Sequence, residues 1–209
     1  IMAAGEGPGG GTAVRARAYA VGVCIVLGAW NGLLVSVLGI QPIIATLILM
    51  VAGRGISMAI TDGQITTVNN PWFSDLASGF VLTLPLAFLV AVGVLVLTAL
   101  LTRRTALGML IEAVGINPEA SRLAGVRART IIWPVYAFSG LCAGLAGLVI
   151  AANTNSVNAN NAGLWIELDA ILAVVIGGTS LMGGRFSLAG TFVGALFIAT
   201  LARTIPNIG

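Results

Sequence analysis

The sequence from Thr102 to Thr130 reads TRRTALGMLIEAVGINPEASRLAGVRART and separates two long apolar runs. Five of the ten basic residues of the chain lie in it, namely Arg103, Arg104, Arg122, Arg127 and Arg129. An arginine-rich polar segment between hydrophobic segments is typical of a cytoplasmic loop in a membrane protein. We therefore predict that 102–130 is such a loop and that the remainder of the chain is organised around it within a membrane.

The composition is that of a membrane protein. The chain has 209 residues, of which 58% are hydrophobic and 8% are charged, and its mean hydropathy is +1.05. Soluble domains carry about 25% charged residues, so a globular protein of this composition could not cover its surface with polar groups. The net charge is only +3 and the arginines fall at segment ends, which gives no indication of a nucleic-acid site.

The sequence contains few of the residues that carry covalent or metal chemistry. Histidine is absent, which removes the commonest metal ligand and proton shuttle, and neither a phosphate-binding GxxxxGK[ST] loop nor an HExxH motif occurs. Cys24 and Cys142 both lie in apolar runs, and we interpret them as small core residues, although the sequence leaves a disulfide open. We expect a chain that uses no cofactor or metal and is not an enzyme.

The apolar runs predict an all-α, polytopic transmembrane helical bundle of about six spans. About 20 residues at 1.5 Å each cross the ~30 Å hydrocarbon layer. The first two runs are separated only by Gln41 and Pro42 and must form a hairpin, and we interpret the glycine-rich segment 1–14 as a loop. The expected spans of this single transmembrane domain are approximately 18–40, 43–60, 80–101, 131–152, 164–182 and 186–202.

Three features of these runs and their connections have local interpretations. Gly140 to Gly144 forms a GxxxG motif, which is a weak indication of close helix contact. Glu167 and Asp169 open the fifth run and are interpreted as carboxylates at a helix N-terminus, with a polar cavity as the alternative. Trp72 and Phe73 lie in a polar connection and are typical of anchors at the membrane interface.

The distribution of arginines favours one orientation in the membrane. With 102–130 in the cytoplasm and six alternating spans, Arg185 joins the five arginines of the loop on the inside, and Arg54 lies within the membrane. Three arginines fall outside, and the positive-inside rule favours the side with six. The outside pair Arg15 and Arg17 disagrees with the rule and leaves open a re-entrant or partly inserted first segment.

The arginine-rich loop contains the signals of a short capped helix. Asn117 is a favourable N-cap, Pro118 suits the first turn, and Glu119 complements the positive end of the helix dipole. Gly125 suits the C-terminal cap, so the sequence predicts a helix from Pro118 to Leu123. Such a helix is either a solvated connector or a docking site for a soluble partner.

The sequence resembles the permease subunits of bacterial ABC sugar importers of the ribose, galactose and galactofuranose class. The resemblance rests on WNGLLVSVLGIQPIIATLILMVAGRGI (30–56), TALGMLIEAVGINPEASRLAGV (105–126), YAFSGLCAGLAGLV (136–149) and ELDAILAVVIGGTSLMGGR (167–185), and ANNAGLWIELDA is nearest to the galactofuranose-type permeases. It implies a multi-pass protein of the bacterial inner membrane that imports a monosaccharide, a pentose or a hexose, by alternating access. It places ATP hydrolysis on a partner subunit.

The resemblance also implies partners and site residues. The partners are cytoplasmic ABC ATPase subunits, a second permease subunit in a homo- or heterodimer, and a periplasmic sugar-binding protein, besides membrane lipid; no nucleic acid is implied. The loop 102–130 matches the ATPase-coupling segment of the family, which implies coupling roles for Glu112, Gly115, Asn117, Glu119, Arg122 and Gly125.

A sugar path needs polar side chains within a mostly apolar bundle. By type and depth the candidates are Asn31, Gln41, Arg54, Thr179 and Ser180. Hydrogen bonding between helices is the alternative role for each of them.

Two other functions stay open at this point. A channel or secondary carrier would move small polar solutes without an ATPase, and a scaffolding membrane protein would move none; neither requires a capped helix in the loop.

The chain also departs from the family. It contains no GGIDLS-type motif and no final apolar span beyond Gly209, and its glycine-rich stretch at 5–12 matches no family block. We therefore expect it to be part of a longer permease.

Overall fold

The structure is a computed structural model, and it describes residues 10–62, 64, 66–67, 80–81, 84–154, 156–157, 163, 165–180 and 183–204. Across these residues the fold is all-α, as predicted, with eight helices. They are α1 Gly10–Leu38, α2 Pro42–Thr61, α3 Leu86–Arg103, α4 Ala106–Ile116, α5 Pro118–Leu123, α6 Ala128–Thr154, α7 Ile166–Ile176 and α8 Leu188–Thr204.

Four two-residue strands lie in the connections: β1 Thr66–Thr67, β2 Phe80–Val81, β3 Leu84–Pro85 and β4 Ser156–Val157. β1 pairs antiparallel with β4 and β2 pairs antiparallel with β3. These short ladders do not form a layer of the fold. The predicted interfacial anchors Trp72 and Phe73 lie outside the described residues, as does most of the glycine-rich stretch 5–12.

In the part of the chain that the structure describes, four helices are long and apolar enough to cross a membrane: Val14–Leu38 within α1, Pro42–Thr61, Leu86–Arg103 and Ala128–Asn153 within α6. Two shorter apolar helices occur at Ala106–Ile116 and Leu188–Ala202. Few residues of the four long helices are buried within the chain, and most of their apolar side chains face outward. Apolar outward faces on long helices are what a bilayer requires of the segments that span it.

The helices differ from the predicted spans at three places. α1 begins at Gly10, within the segment that we interpreted as a loop, since no proline between Gly10 and Leu38 stops it. α3 begins at Leu86 rather than at residue 80, because Phe80–Val81 and Leu84–Pro85 are paired as the strands β2 and β3. α7 ends at Ile176, because Gly178 turns the chain with φ +80°.

The short length of α7 changes the interpretation of the predicted span 164–182. Eleven helical residues rise about 16 Å at 1.5 Å each, roughly half of the ~30 Å hydrocarbon layer. The helix α7 is therefore shorter than this layer, and the span 164–182 stays a prediction.

One compact unit comprises Ile1–Val94 and Ile132–Ala162, and α1 packs closely on α6 within it. A Cβ atom added to Gly28 would lie 2.6 Å from the Tyr136 carbonyl oxygen and 2.9 Å from the Gly140 Cα. Gly32 lies against the Tyr136 side chain, and Gly144 lies against α1 one turn further along α6. Two GxxxG motifs, one on each helix, thus pack against each other, as small residues permit in membrane proteins.

The cysteines are accommodated in these same two helices. Cys24 and Cys142 are unpaired and half-buried, so the alternative of a disulfide between them is not realised. A Cβ atom on Gly144 would lie 3.0 Å from the Cys24 Cβ. Cys24 thus packs against α6, whereas the interpretation of both cysteines as small core residues stays a prediction.

The second compact unit comprises Leu95–Ile131 and Gly163–Gly209. Within it α7 and α8 form a close antiparallel hairpin. A Cβ atom on Gly177 would lie 2.5 Å from the Gly190 carbonyl carbon, and Gly194 lies directly against the Ala173 carbonyl group. The close approach of α7 and α8 thus depends on glycines at consecutive turns of the contact.

Candidate functional site

The arginine-rich loop begins with a tight turn between α3 and α4. The Thr105 hydroxyl accepts a hydrogen bond from the Leu107 N–H at 3.3 Å and donates one to the Leu101 carbonyl oxygen. Gly108 lies so close to the Thr102 carbonyl group that no side chain would fit there. These contacts fix the start of α4 against the end of α3.

α4 carries the first two of the predicted coupling residues. Glu112 is its only charged residue and is half-buried, and Gly115 lies in its last turn. The helix is apolar, with Val114 buried and Met109 exposed. Glu112 therefore precedes the predicted docking helix rather than belonging to it.

Asn117 joins α4 to α5 without an intervening linker. Its N–H donates to the Ala113 carbonyl oxygen at 3.1 Å and ends α4. Its Oδ1 accepts hydrogen bonds from the N–H groups of Glu119 and Ala120, both at 3.0 Å, and begins α5. The predicted N-cap is confirmed, and the same residue also caps the helix before it.

Gly125 closes α5 in the left-handed conformation, with φ +85°. Its N–H donates to the Arg122 carbonyl oxygen at 3.0 Å, and the Val126 N–H donates to the Ser121 carbonyl oxygen at 2.9 Å. This pair of hydrogen bonds around a left-handed glycine is the Schellman motif. The predicted helix from Pro118 to Leu123 is therefore present and capped at both ends.

One face of α5 combines charge with an exposed apolar side chain. Glu119, Arg122 and Leu123 are spaced i, i+3 and i+4 and so share a face, and all three are exposed, Leu123 to 83%. Ser121 is 7% exposed. Sequence reasoning did not single out Leu123. Tertiary packing decides which side of so short a helix is buried, and therefore whether Leu123 is exposed.

The end of α4 lies against the glycines that follow α7. A Cβ atom on Gly183 would lie 2.6 Å from the Gly115 carbonyl oxygen, and one on Gly115 would lie 3.0 Å from the Gly184 nitrogen. Gly183 and Gly184 have φ values of +90° and +105°, which L side chains rarely adopt. Sequence reasoning did not single out these glycines, although paired glycines between two helices also indicate close backbone approach.

Three of the sugar-path candidates lie in the first compact unit. Asn31 is 4% exposed, and its Oδ1 accepts no hydrogen bond in the described part of the chain. Gln41 is the exposed N-cap of α2 and makes no side-chain capping hydrogen bond, and Arg54 is half-buried in the middle of α2. A buried amide oxygen without a donor is uncommon enough to require an explanation.

Thr179 and Ser180 lie in the second unit, in the loop between α7 and α8. The Thr179 hydroxyl accepts from the Ser187 N–H at 3.4 Å, and the Thr179 N–H donates to the Val174 carbonyl oxygen at 3.2 Å. The Ser180 carbonyl oxygen accepts from the Gly183 N–H at 3.4 Å. Both residues thus help to hold the loop on the end of α7.

The acidic pair of the fifth run has the position that we predicted. Glu167 and Asp169 lie in the first turn of α7 and are exposed.

Among the residues that the structure describes, no group of three His, Cys, Asp or Glu side chains could hold a metal ion.

Comparisons with known proteins relate this geometry to a family. A family model described as branched-chain amino acid transport system / permease component matches residues 14–209. The chain is 59% identical over 179 residues to the galactofuranose transporter permease protein YtfT of Escherichia coli, covering 86% of this chain and 52% of that protein. It is 50% identical over 197 residues to the fructose import permease protein FruF of Bifidobacterium longum, covering 91% and 54%.

A third relative is more distant. The chain is 37% identical over 201 residues to the ribose import permease protein RbsC of Escherichia coli, covering 94% of this chain and 62% of that protein. The chain thus spans between 52% and 62% of the length of these three relatives. No solved structure matches it. The resemblance inferred from the four sequence blocks is confirmed.

Proposed function

This chain belongs to the family of branched-chain amino acid transport system / permease components, and we propose that it is the membrane-spanning subunit of an ATP-driven monosaccharide importer in the bacterial inner membrane. ATP hydrolysis takes place on cytoplasmic ABC ATPase subunits, and a periplasmic protein delivers the sugar. A second permease subunit completes a path that opens alternately to the two sides. The three relatives are permeases for galactofuranose, fructose and ribose, which supports a pentose or hexose as substrate.

The observation that carries this proposal is the doubly capped helix α5. An isolated helix of six residues is not stable in water, and here caps at both ends hold it in a loop. Its exposed face places Leu123 beside Glu119 and Arg122, an apolar residue with a charged rim, which is the composition of a protein interface. A channel or carrier that works alone needs no such surface.

We assign the coupling residues two roles. Glu119, Arg122 and Leu123 contact the ATPase, whereas Asn117 and Gly125 hold the helix that presents them. Gly115 and Glu112 belong to α4, which is joined directly to α5, and their part in coupling is to position α5. Glu112 is in addition a candidate for a contact with the ATPase at the edge of the interface.

Co-purification tests the partner. We expect mild detergent extraction of the complete importer to recover an ABC-type ATPase at one copy per permease, identified by mass. Leu123→Asp should reduce the recovered ATPase at least tenfold, while Ala120→Ser, a change at an exposed position of the same helix, should leave it unchanged. Recovery of the permease alone under several mild detergents would contradict the proposal and favour a channel or carrier.

Gly125→Pro tests whether α5 couples hydrolysis to transport. Proline fixes φ near −65° where the chain has +85°, and it removes the N–H that donates to Arg122. We expect normal membrane insertion and loss of sugar uptake in proteoliposomes, with the same outcome for Glu119→Arg. Normal uptake by both variants would count against a coupling role for this segment.

Asn31 is the strongest of the sugar-path candidates, because its buried Oδ1 has no donor in the described part of the chain. A sugar hydroxyl would supply one. We propose that Gln41 and Arg54 contribute less than Asn31 to sugar binding. Thr179 and Ser180 have a structural role in addition to any contact with the sugar.

Replacement of Asn31 tests this assignment. A buried hydrogen bond contributes about 1–3 kcal/mol when its loss leaves a partner unpaired, which corresponds to roughly 5- to 140-fold in affinity. We therefore expect Asn31→Leu to raise the sugar concentration for half-maximal uptake at least about fivefold without reducing ATPase recovery. Ser36→Ala, which removes another buried polar group of α1, is the control. Equal effects of the two substitutions would show that Asn31 only stabilises the helix packing.

A further inference from the structure

We propose that the backbone contact between Gly115 and Gly183–Gly184 is a mechanical joint through which docking at α5 acts on the α7–α8 hairpin. This inference rests on the proposed function, since it needs a partner that moves α5. It adds a route within the second compact unit, and it gives Gly183 and Gly184 a part in transport.

The first part of the route is rigid because Asn117 belongs to two helices. Its backbone ends α4 and its side chain begins α5, through hydrogen bonds of 3.0–3.1 Å. No flexible residue separates α5 from Gly115 and Ile116 at the end of α4. A displacement of α5 is therefore passed on to the end of α4.

The second part of the route is the contact itself. The Gly115 carbonyl group lies where a side chain on Gly183 would be, and a Cβ atom on Gly184 would lie 3.5 Å from the Ile116 Cγ1. Packed backbone has no rotamers into which it could yield, so it transmits displacement more directly than two long side chains would. A displacement of the end of α4 therefore either moves the loop with it or breaks this contact.

The third part is the attachment of the loop to the hairpin. Thr179 is held by hydrogen bonds to the end of α7 and to Ser187, and the Ser187 hydroxyl in turn accepts from the Gly190 N–H at 3.1 Å in α8. Gly177 lies directly against Gly190. A force on the loop thus reaches both helices of the hairpin at their adjoining ends.

The test compares two glycines of the loop, Gly178 and Gly183, with Gly115 of α4. Gly183 and Gly178 both have positive φ, +90° and +80°, but nothing lies within 4 Å of a Cβ atom on Gly178. Gly178→Ala therefore introduces the backbone strain without the clash, Gly115→Ala introduces the clash without positive φ, and Gly183→Ala introduces both. The three variants separate strain in the loop from loss of the contact.

We expect Gly178→Ala and Gly183→Ala, placed in the complete importer, to recover the ATPase as the wild type does. In proteoliposomes, Gly183→Ala and Gly115→Ala should lower the sugar transported per ATP hydrolysed at least tenfold, whereas Gly178→Ala should stay within twofold of the wild type. Equal losses for Gly178→Ala and Gly183→Ala, or normal coupling in Gly115→Ala, would overturn the joint. Absence of an ATPase from the wild-type preparation would overturn the proposed function itself, and the joint with it.

A second measurement on the wild-type complex covers the case in which a variant does not accumulate. Amide hydrogen exchange is compared with and without a nucleotide that traps the ATPase. The joint requires exchange at Gly183 and Gly184 to change together with exchange at Glu119 and Ala120. A change in α5 that leaves the glycines unaltered would refute it.

Discussion

At the scale of single residues, the contact between α1 and α6 depends on the absence of side chains. Gly28→Ala would place a Cβ atom 2.6 Å from the Tyr136 carbonyl oxygen, and forced overpacking of this kind costs about 1–3 kcal/mol. We expect a clear fall in the midpoint of thermal unfolding in detergent. Gly22→Ala is the matched control, because nothing lies within 4 Å of that position in the same helix; equal falls would refute the contact.

Asn117→Ala removes the acceptor for the Glu119 and Ala120 N–H groups. Loss of an N-cap costs about 0.5–2 kcal/mol, so amide exchange in α5 should become roughly 2- to 30-fold faster, since 1.4 kcal/mol is a factor of ten. Asn117→Asp keeps the acceptor and should preserve the protection. Unchanged exchange in Asn117→Ala would mean that packing, not the cap, holds α5.

These residues also show what sequence could predict. Asn117 and Gly125 were identified correctly because capping is local: each acts on neighbours two to four positions away. Gly22 and Gly28 look alike in the sequence, yet only Gly28 touches α6. The distinction depends on which face of α1 meets another helix, and no periodicity in a helix that is apolar all round reveals that face.

At the scale of secondary-structure elements, α7 and α8 form the most glycine-dependent pair. Gly194→Val would push its side chain into the Ala173 carbonyl group, and we expect the two helices to separate and the thermal midpoint to fall. Ala195→Val, at the next and exposed position of α8, makes a comparable increase in size away from the contact. The proposal of a close hairpin would be wrong if both substitutions lowered the midpoint equally.

The existence of the long helices was predictable, whereas the starts of α1 and α3 and the end of α7 were not. Long apolar runs indicated α1, α2, α3 and α6, because only a helix satisfies the backbone of a spanning segment. The hydrophobic run of the fifth predicted span continues past Ile176, but the chain turns at Gly178. The hydropathy of a segment indicates whether lipid or water surrounds it. The end of its helix depends on the backbone conformation of glycines such as Gly178, which hydropathy does not report.

At the scale of the whole molecule, the orientation in the membrane stays a prediction, and the structure provides positions to test it. Leu123 is 83% exposed, so Leu123→Cys in a chain without Cys24 and Cys142 should react with a thiol reagent from the cytoplasmic side only. Asn153→Cys, at an exposed position at the other end of α6, should react only from outside. Reaction of Leu123→Cys from outside would reverse the orientation.

The arginine pair that disagreed with the positive-inside rule lies within α1 itself. The helix begins at Gly10, so Arg15 and Arg17 occupy its second and third turns rather than a separate loop. Arginine side chains near a helix end can extend their guanidinium groups towards the interface. The disagreement therefore concerns the end of one long helix, and it does not require a re-entrant first segment.

Asn117 leaves the chain no spare length between α4 and α5. A single residue that lengthened α4 before Asn117 would turn the start of α5 by about 100° around the axis of α4, since a helix has 3.6 residues per turn. Leu123 would then face a different direction, and one of the two caps would lose its residue. Insertions and deletions at this junction should accordingly be tolerated far less than substitutions, because the number of residues, more than their identity, aims the exposed face of α5.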